Sequence, residues 1–168
     1  MHEDIWFLDL EETIITDFTN PVIMNLDVVK NHFKKIGVTQ VHIFSAAIWD
    51  DREKKIFNQP NFKPWLERMF EVEIITAPSM QDVMDELLWK TGTDWDLVDF
   101  IAVWGKARAF QDWCRMCYSN VNCFLIDDSV KNEIILNRDS GKFIELIHID
   151  HLHKWERFNQ DVRTTTRT

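Results

Sequence analysis

Residues 5 to 15 read Ile-Trp-Phe-Leu-Asp-Leu-Glu-Glu-Thr-Ile-Ile, an apolar run that delivers Asp9 and Glu11 two residues apart, followed by the hydroxyl of Thr13. Alternation along an extended chain points Asp9 and Glu11 the same way. Their oxygens could then share one hard cation such as Mg2+, together with a substrate phosphate. A solvated acidic turn after a core strand would have the same composition, so the segment gains meaning only from what ends beside it.

Two further apolar runs end in polar chemistry. Val41-His42-Ile43-Phe44 leads into Ser45-Ala46-Ala47, and Val121-Asn122-Cys123-Phe124-Leu125-Ile126 leads into Asp127-Asp128-Ser129. Between them Lys106, after Trp104-Gly105, opens an amphipathic stretch. Each has a plain reading alone: Ser45 as a small strand end, Lys106 as a solvated helix residue, Asp127-Asp128-Ser129 as the cap of a following helix. Together, in order at the ends of buried strands, a hydroxyl, an ammonium and two acidic groups make a phosphate site with a metal.

The elements that must position these groups follow from periodicity. Strands are expected at 5–9, 41–45, 72–76, 121–126 and 143–149, and helices at 26–36, 62–70, 79–90, 95–103, 106–117 and 129–135. Gly37 and Gly105 punctuate helices, and Pro60, Pro64 and Pro78 mark boundaries. Strands alternating with helices imply an α/β fold in three layers, a mainly parallel sheet with helices on both faces. In such sheets the ligand site lies at the strands' carboxyl ends.

Asp9-Leu10-Glu11-Glu12-Thr13, Ser45, Lys106 and Asp127-Asp128 resemble, in order, the four motifs of the haloacid dehalogenase superfamily of phosphotransferases. The resemblance spans residues 5 to about 132, and the texture of Asp9 to Ile14 is closest to small capless phosphatases, whose signature reads Asp-Leu-Asp-Glu-Thr-Leu. It implies a Rossmannoid fold, Mg2+ on Asp9, Glu11, Asp127 and Asp128, and Asp9 as the nucleophile that becomes an aspartyl phosphate. It implies Glu11 as general acid and base, and Thr13, Ser45, Ala46 and Lys106 around the phosphoryl group of a phosphorylated substrate. One of the Asp127-Asp128 pair would hold the metal and the other Lys106. Ile14 for Leu is conservative, but Glu11 stands where the superfamily usually has Asp. Its extra methylene moves the carboxylate by about one carbon-carbon bond. Two functions of different class follow: a phosphomonoester hydrolase, or a catalytically impaired binding or regulatory protein on the same fold. A metal-dependent nuclease is a third.

Composition narrows the class. With 168 residues, 45% hydrophobic, four Gly and four Pro, the chain suits one domain over residues 1–160, with residues 161–168 as a flexible tail. Residues 14–40 leave no room for a large cap, while 77–105 could form a modest helical lid, with core packing the commoner use of such apolar spacing. A net charge of −9 opposes a nonspecific nucleic-acid surface, and the basic group Lys30, His32, Lys34 and Lys35 reads as the solvated side of a packing helix. No apolar stretch reaches membrane-spanning length and the N-terminus is acidic, so a cytoplasmic protein without a membrane partner is expected.

Three cysteines, Cys114, Cys117 and Cys123, provide no disulfide framework, and one Cys-x-x-Cys inside a helix is poor support for zinc. The run His148-Ile149-Asp150-His151-Leu152-His153 could hold a transition metal but fits a strand end entering a surface turn. Trp49, just past Ser45, could stack on a ligand ring or pack in the core.

Overall fold

The computed structural model describes residues 4–89, 91–92, 95–137 and 139–157. The expected flexible tail at 161–168 lies outside the described residues, as does the last position of the helix expected at 79–90. Six strands, β1 (Asp4–Leu8), β2 (Gln40–Ile43), β3 (Glu73–Ile74), β4 (Asn122–Asp127), β5 (Glu133–Leu136) and β6 (Phe143–His148), form one sheet in the order β3-β2-β1-β4-β6-β5. All neighbours are parallel except β5 and β6. The fold is α/β with a mostly parallel sheet.

Strand alternation builds the two cores. Trp6, Leu8, Val41, Ile43, Phe124 and Ile126 face one side, where α1 (Leu26–Ile36), α2 (Asp51–Phe57), α3 (Lys63–Phe70) and the 3-10 helix Ile149–Lys154 pack. Phe7, Cys123, Leu125 and Leu146 face the other, covered by α4 (Met80–Leu88), α5 (Leu97–Trp104) and α6 (Lys106–Cys117). Near-continuous apolar runs are what a sheet buried on both faces requires. Among the described residues no helix is long and apolar enough to cross a membrane.

The stretch 77–105 serves mainly as this second layer. Met80, Val83, Met84, Leu88, Leu97 and Phe100 are buried in the core, although Val98 and Val103 remain exposed. Gly105 joins α5 to α6 with φ 79° and ψ 151°, a region essentially closed to residues with a Cβ. Its N–H closes α5 on the Ile101 carbonyl while its own carbonyl accepts from Ala109 in α6, so the turn fixes Lys106 as the first residue of the new helix.

Two expectations need correction. Residues 129–135 form no helix: Glu133–Leu136 is an antiparallel edge strand, because Ile134 and Ile135 pair with Glu145 and Ile144 of β6. β-branched Ile134 and Ile135 suit a pleated surface better than a helix. Helix α2 was also not expected, although Asp50 and Glu53 form a reciprocal capping box at its start.

Candidate active site

β1 lies between β2 and β4, and the chain leaves it toward β2 and reaches β4 only after six intervening helices. The carboxyl ends of β1 and β4 therefore flank the crevice where the strand order reverses, the usual ligand position in open α/β sheets. Asp9 is the first residue past β1, and its N–H is held by the Ile126 carbonyl of β4 at 3.0 Å. Asp127 is the last residue of β4.

Lys106 ties the two together. Its Nζ lies 2.7 Å from Asp9 Oδ1 and 2.5 Å from Asp127 Oδ2. It meets Asp9 as a hydrogen-bonded pair, and Asp127 as an ion pair off the hydrogen-bond axis. Asp9 is 4% exposed and Asp127 fully buried, while the Lys106 side chain keeps 15% of its surface. An ammonium in the first turn of a helix opposes the helix dipole. Its partners must supply what that placement and its burial take away.

Thr13 completes the knot. Its hydroxyl donates to Asp9 Oδ2 at 2.9 Å, has Asp128 Oδ1 as a longer alternative at 3.3 Å, and accepts the Asp128 N–H at 3.0 Å. Asp127 Oδ1 accepts both the N–H and the hydroxyl of Ser129 at 2.9 Å. Ser129 thus fixes a site carboxylate instead of capping a helix. The Thr13 carbonyl is held in turn by Asn25 Nδ2 at 2.8 Å.

The pKa directions separate the two buried aspartates. Burial pushes Asp9 up from 3.8 to about 6, against the pull of Lys106 and with the repulsion of Asp127. Burial acts on Asp127 in the same sense, but the Lys106 ion pair and the two Ser129 hydrogen bonds outweigh it and hold this carboxyl below its usual value. For Lys106 burial favours the neutral amine, yet the two carboxylates together raise its pKa. Opposite shifts on paired acids are a common mark of a chemical site.

Carboxylate oxygens of Asp9, Asp127 and Asp128 lie within 4.8 Å of one another, a hard-oxygen set of the kind Mg2+ accepts. The Glu11 side chain is outside this set, contrary to its expected place as a metal ligand. The chain stops being extended after Leu8: the amides of Thr13, Ile14 and Ile15 all turn onto the Leu10 carbonyl, and Glu12 takes φ 63°. Alternation no longer aligns Glu11 with Asp9, and the Glu11 carboxylate accepts the Phe18 N–H at 2.6 Å instead.

Ser45 is buried two residues past β2, whose end is tied to β1 by the Phe44 N–H on the Leu8 carbonyl at 2.9 Å. Its hydroxyl accepts the Ala47 N–H at 3.2 Å, which tightens the turn through half-buried Ala46. Trp49 is half-buried against the α4–α6 layer.

Comparison with protein-family models, curated proteins and solved structures finds no match for this chain. Its chemistry has to be argued from these residues.

The other sequence candidates do not join the knot. Cys114 and Cys123 are buried free thiols and Cys117 is an exposed one. His148 starts the 3-10 helix, its Nδ1 accepting the Asp150 N–H at 3.1 Å, and His151 Nδ1 lies 2.6 Å from Asn132 Nδ2. Reading the sequence missed Asn25 and Ser129 as supports of the site. Asn25 carries a signal only after the structure is known, because its left-handed φ of 54° suits Asn at the start of α1.

Proposed function

We propose that the chain is a magnesium-dependent phosphatase of the haloacid dehalogenase superfamily, hydrolysing a phosphomonoester through an aspartyl phosphate on Asp9. The observation that carries this reading is the buried contact of Lys106 with Asp9 and Asp127, three residues brought from β1, α6 and β4. Support also comes from Ser45, buried just past the end of β2, the strand that pairs with β1.

Charge argues for the cation. Asp9, Asp127 and Asp128 against Lys106 sum to −2 when all are ionised, a field that repels a phosphate dianion. Mg2+ held by Asp9, Asp127 and Asp128 would cancel that charge and stabilise the negative charge on the phosphoryl oxygens.

The remaining steps belong to the protein. Ionised Asp9 attacks phosphorus in line, the bond to the leaving oxygen breaks, and a phosphoacyl enzyme forms. Glu11 gives its proton to the departing oxygen, then takes one from the water that attacks phosphorus and frees inorganic phosphate and Asp9. Lys106 and the Ser45 hydroxyl hold the phosphoryl oxygens, helped by the amino end of α6. Asp127 keeps Lys106 in place. For this cycle Glu11 must release the Phe18 amide and turn toward Asp9.

That requirement favours a second reading, a binding or regulatory protein on the same fold, because the Glu11 carboxylate is committed to Phe18. p-Nitrophenyl phosphate hydrolysis with Mg2+ decides between them. An enzyme turns over, Asp9→Asn abolishes the activity, and Glu11→Gln lowers it about 10²-fold or more. No turnover by the wild type, together with turnover by Glu11→Asp, would establish the impaired form.

A further inference from the structure

We propose that the hollow between α1 and the 3-10 helix is a second binding site, shaped for an anion carried on an aromatic or otherwise apolar body. Its volume is about 570 Å³, within the roughly 300 to 1,000 Å³ of small-molecule sites. The inference is independent of the phosphatase reading.

The wall is apolar and fixed. Val28 and Ile36 of α1 face Leu152 and Trp155 across the hollow. The Trp155 indole donates to Glu145 Oε2 at 3.0 Å, and its ring stands edge-on to Trp6 and His32 at 5.3 and 5.2 Å. A rigid ring of this kind offers contact area at little cost in side-chain entropy.

The rim is cationic in a chain of net charge −9. Lys35 and Arg157 line it against one carboxylate, Glu156. On the same helix Lys30 and Lys34 are paired with Glu71, at 3.8 and 2.9 Å, whereas Lys35 makes no ion pair among the described residues. Arg157 is paired with Asp4 at 2.8 Å, which holds its guanidinium in a defined place and leaves Lys35 as the unpaired cation of the rim among the described residues. His32, which also lines the hollow, is 7% exposed, and its Nε2 has no hydrogen-bond partner among the described residues. A buried polar nitrogen left unpaired is costly.

This place is separate from Asp9. Arg157 grips Asp4, at the start of β1, five residues and roughly 16 Å along the strand from Asp9. The hollow lies on the α1 face of the sheet, and Asp9 at its carboxyl edge.

The test titrates the full chain with 8-anilinonaphthalene-1-sulfonate, an aromatic sulfonate, and with its uncharged analogue N-phenyl-1-naphthylamine. The expected result is saturable one-to-one binding of the sulfonate, about tenfold tighter than the neutral probe, with a shift of the Trp155 indole N–H resonance. Lys35→Glu, at an exposed position, should weaken the sulfonate about tenfold and leave the neutral probe unchanged. Asp9→Asn should change neither. Equal binding of the two probes, sulfonate binding indifferent to Lys35→Glu, an unmoved Trp155 resonance, or loss of binding in Asp9→Asn would each overturn the proposal.

Discussion

The carboxyl ends of β4 and β6 lie side by side, with Asp127 opposite His148, and both finish in a polar cluster. Their construction differs. At β4 the partners come from far along the chain, Lys106 lying 97 residues from Asp9, and the charges are buried. At β6 the bonds are exposed and span no more than 19 residues: His148 takes the Asp150 N–H, and Asn132 serves the His148 N–H and His151. The second cluster ends a strand and starts a 3-10 helix, which is sufficient reason for it. The first holds ionised groups where desolvation makes them expensive, and stability alone would be served as well by apolar residues. Burial of charge assembled from distant segments, more than polarity at a strand end, marks the site.

The comparison is broken or sharpened most strongly at Asp9. Asp9→Asn should lower hydrolysis by at least about 10³-fold, read with p-nitrophenyl phosphate and Mg2+. The same change should stabilise the metal-free protein above pH 6. Asp9 has a folded pKa of about 6 against 3.8 unfolded, so the folded state binds the extra proton and stability falls as pH rises between those values. Removing the charge should recover on the order of 2 kcal/mol in urea unfolding at pH 8. Saturating Mg2+ should stabilise the wild type and not the variant.

Lys106→Met comes next, leaving two carboxylates facing each other without a cation. We expect a loss of about 3 kcal/mol in the same assay, largely restored by adding Asp9→Asn. In the β6 cluster His151→Ala should cost less than about 1 kcal/mol. Equal costs at the two ends would erase the distinction drawn between them.

A third expectation concerns His32, packed among Trp6, Phe33 and Trp155 at ring distances of 4.7, 5.4 and 5.2 Å. Burial first, and Lys35 second, lower its pKa from 6.5 to about 4. The unfolded chain therefore binds the proton more readily, so the stability is fully present above pH 6.5 and is lost as pH falls toward 4. The loss should reach roughly 2 to 3 kcal/mol, and His32→Leu should flatten it. A more modest effect is expected at Gly105, where Ala meets nothing within 4 Å but must adopt φ 79°. A cost of about 1 to 2 kcal/mol is expected, with a larger loss of activity because the turn sets Lys106.

Much of the frame was legible because local signals were strong. Helices 26–36 and 106–117 have the expected bounds, set by Gly37 and Gly105, and the β1 and β4 runs are apolar on both faces. The region after β4 was misread because Asp128-Ser129 has the composition of a helix cap, while the pairing of Glu133–Leu136 depends on a strand that begins seven residues later. At the site, Asp9, Lys106 and Asp127 converge as their spacing suggested. The division of labour between Asp127 and Asp128 depends on side-chain direction, which the sequence does not encode locally; the structure puts Lys106 on Asp127 and Thr13 beside Asp128. Glu11 was misplaced because alternation was carried past Leu8 into a turn.

The most direct test of phosphoryl transfer at Asp9 is a 19F NMR titration with beryllium fluoride, which mimics a phosphoryl group on a carboxylate. The account predicts bound fluoride resonances in the wild type that require Mg2+ and vanish in Asp9→Asn and Asp127→Asn. A bound signal that persists unchanged in Asp9→Asn, or no bound signal in a wild type saturated with Mg2+, would contradict it.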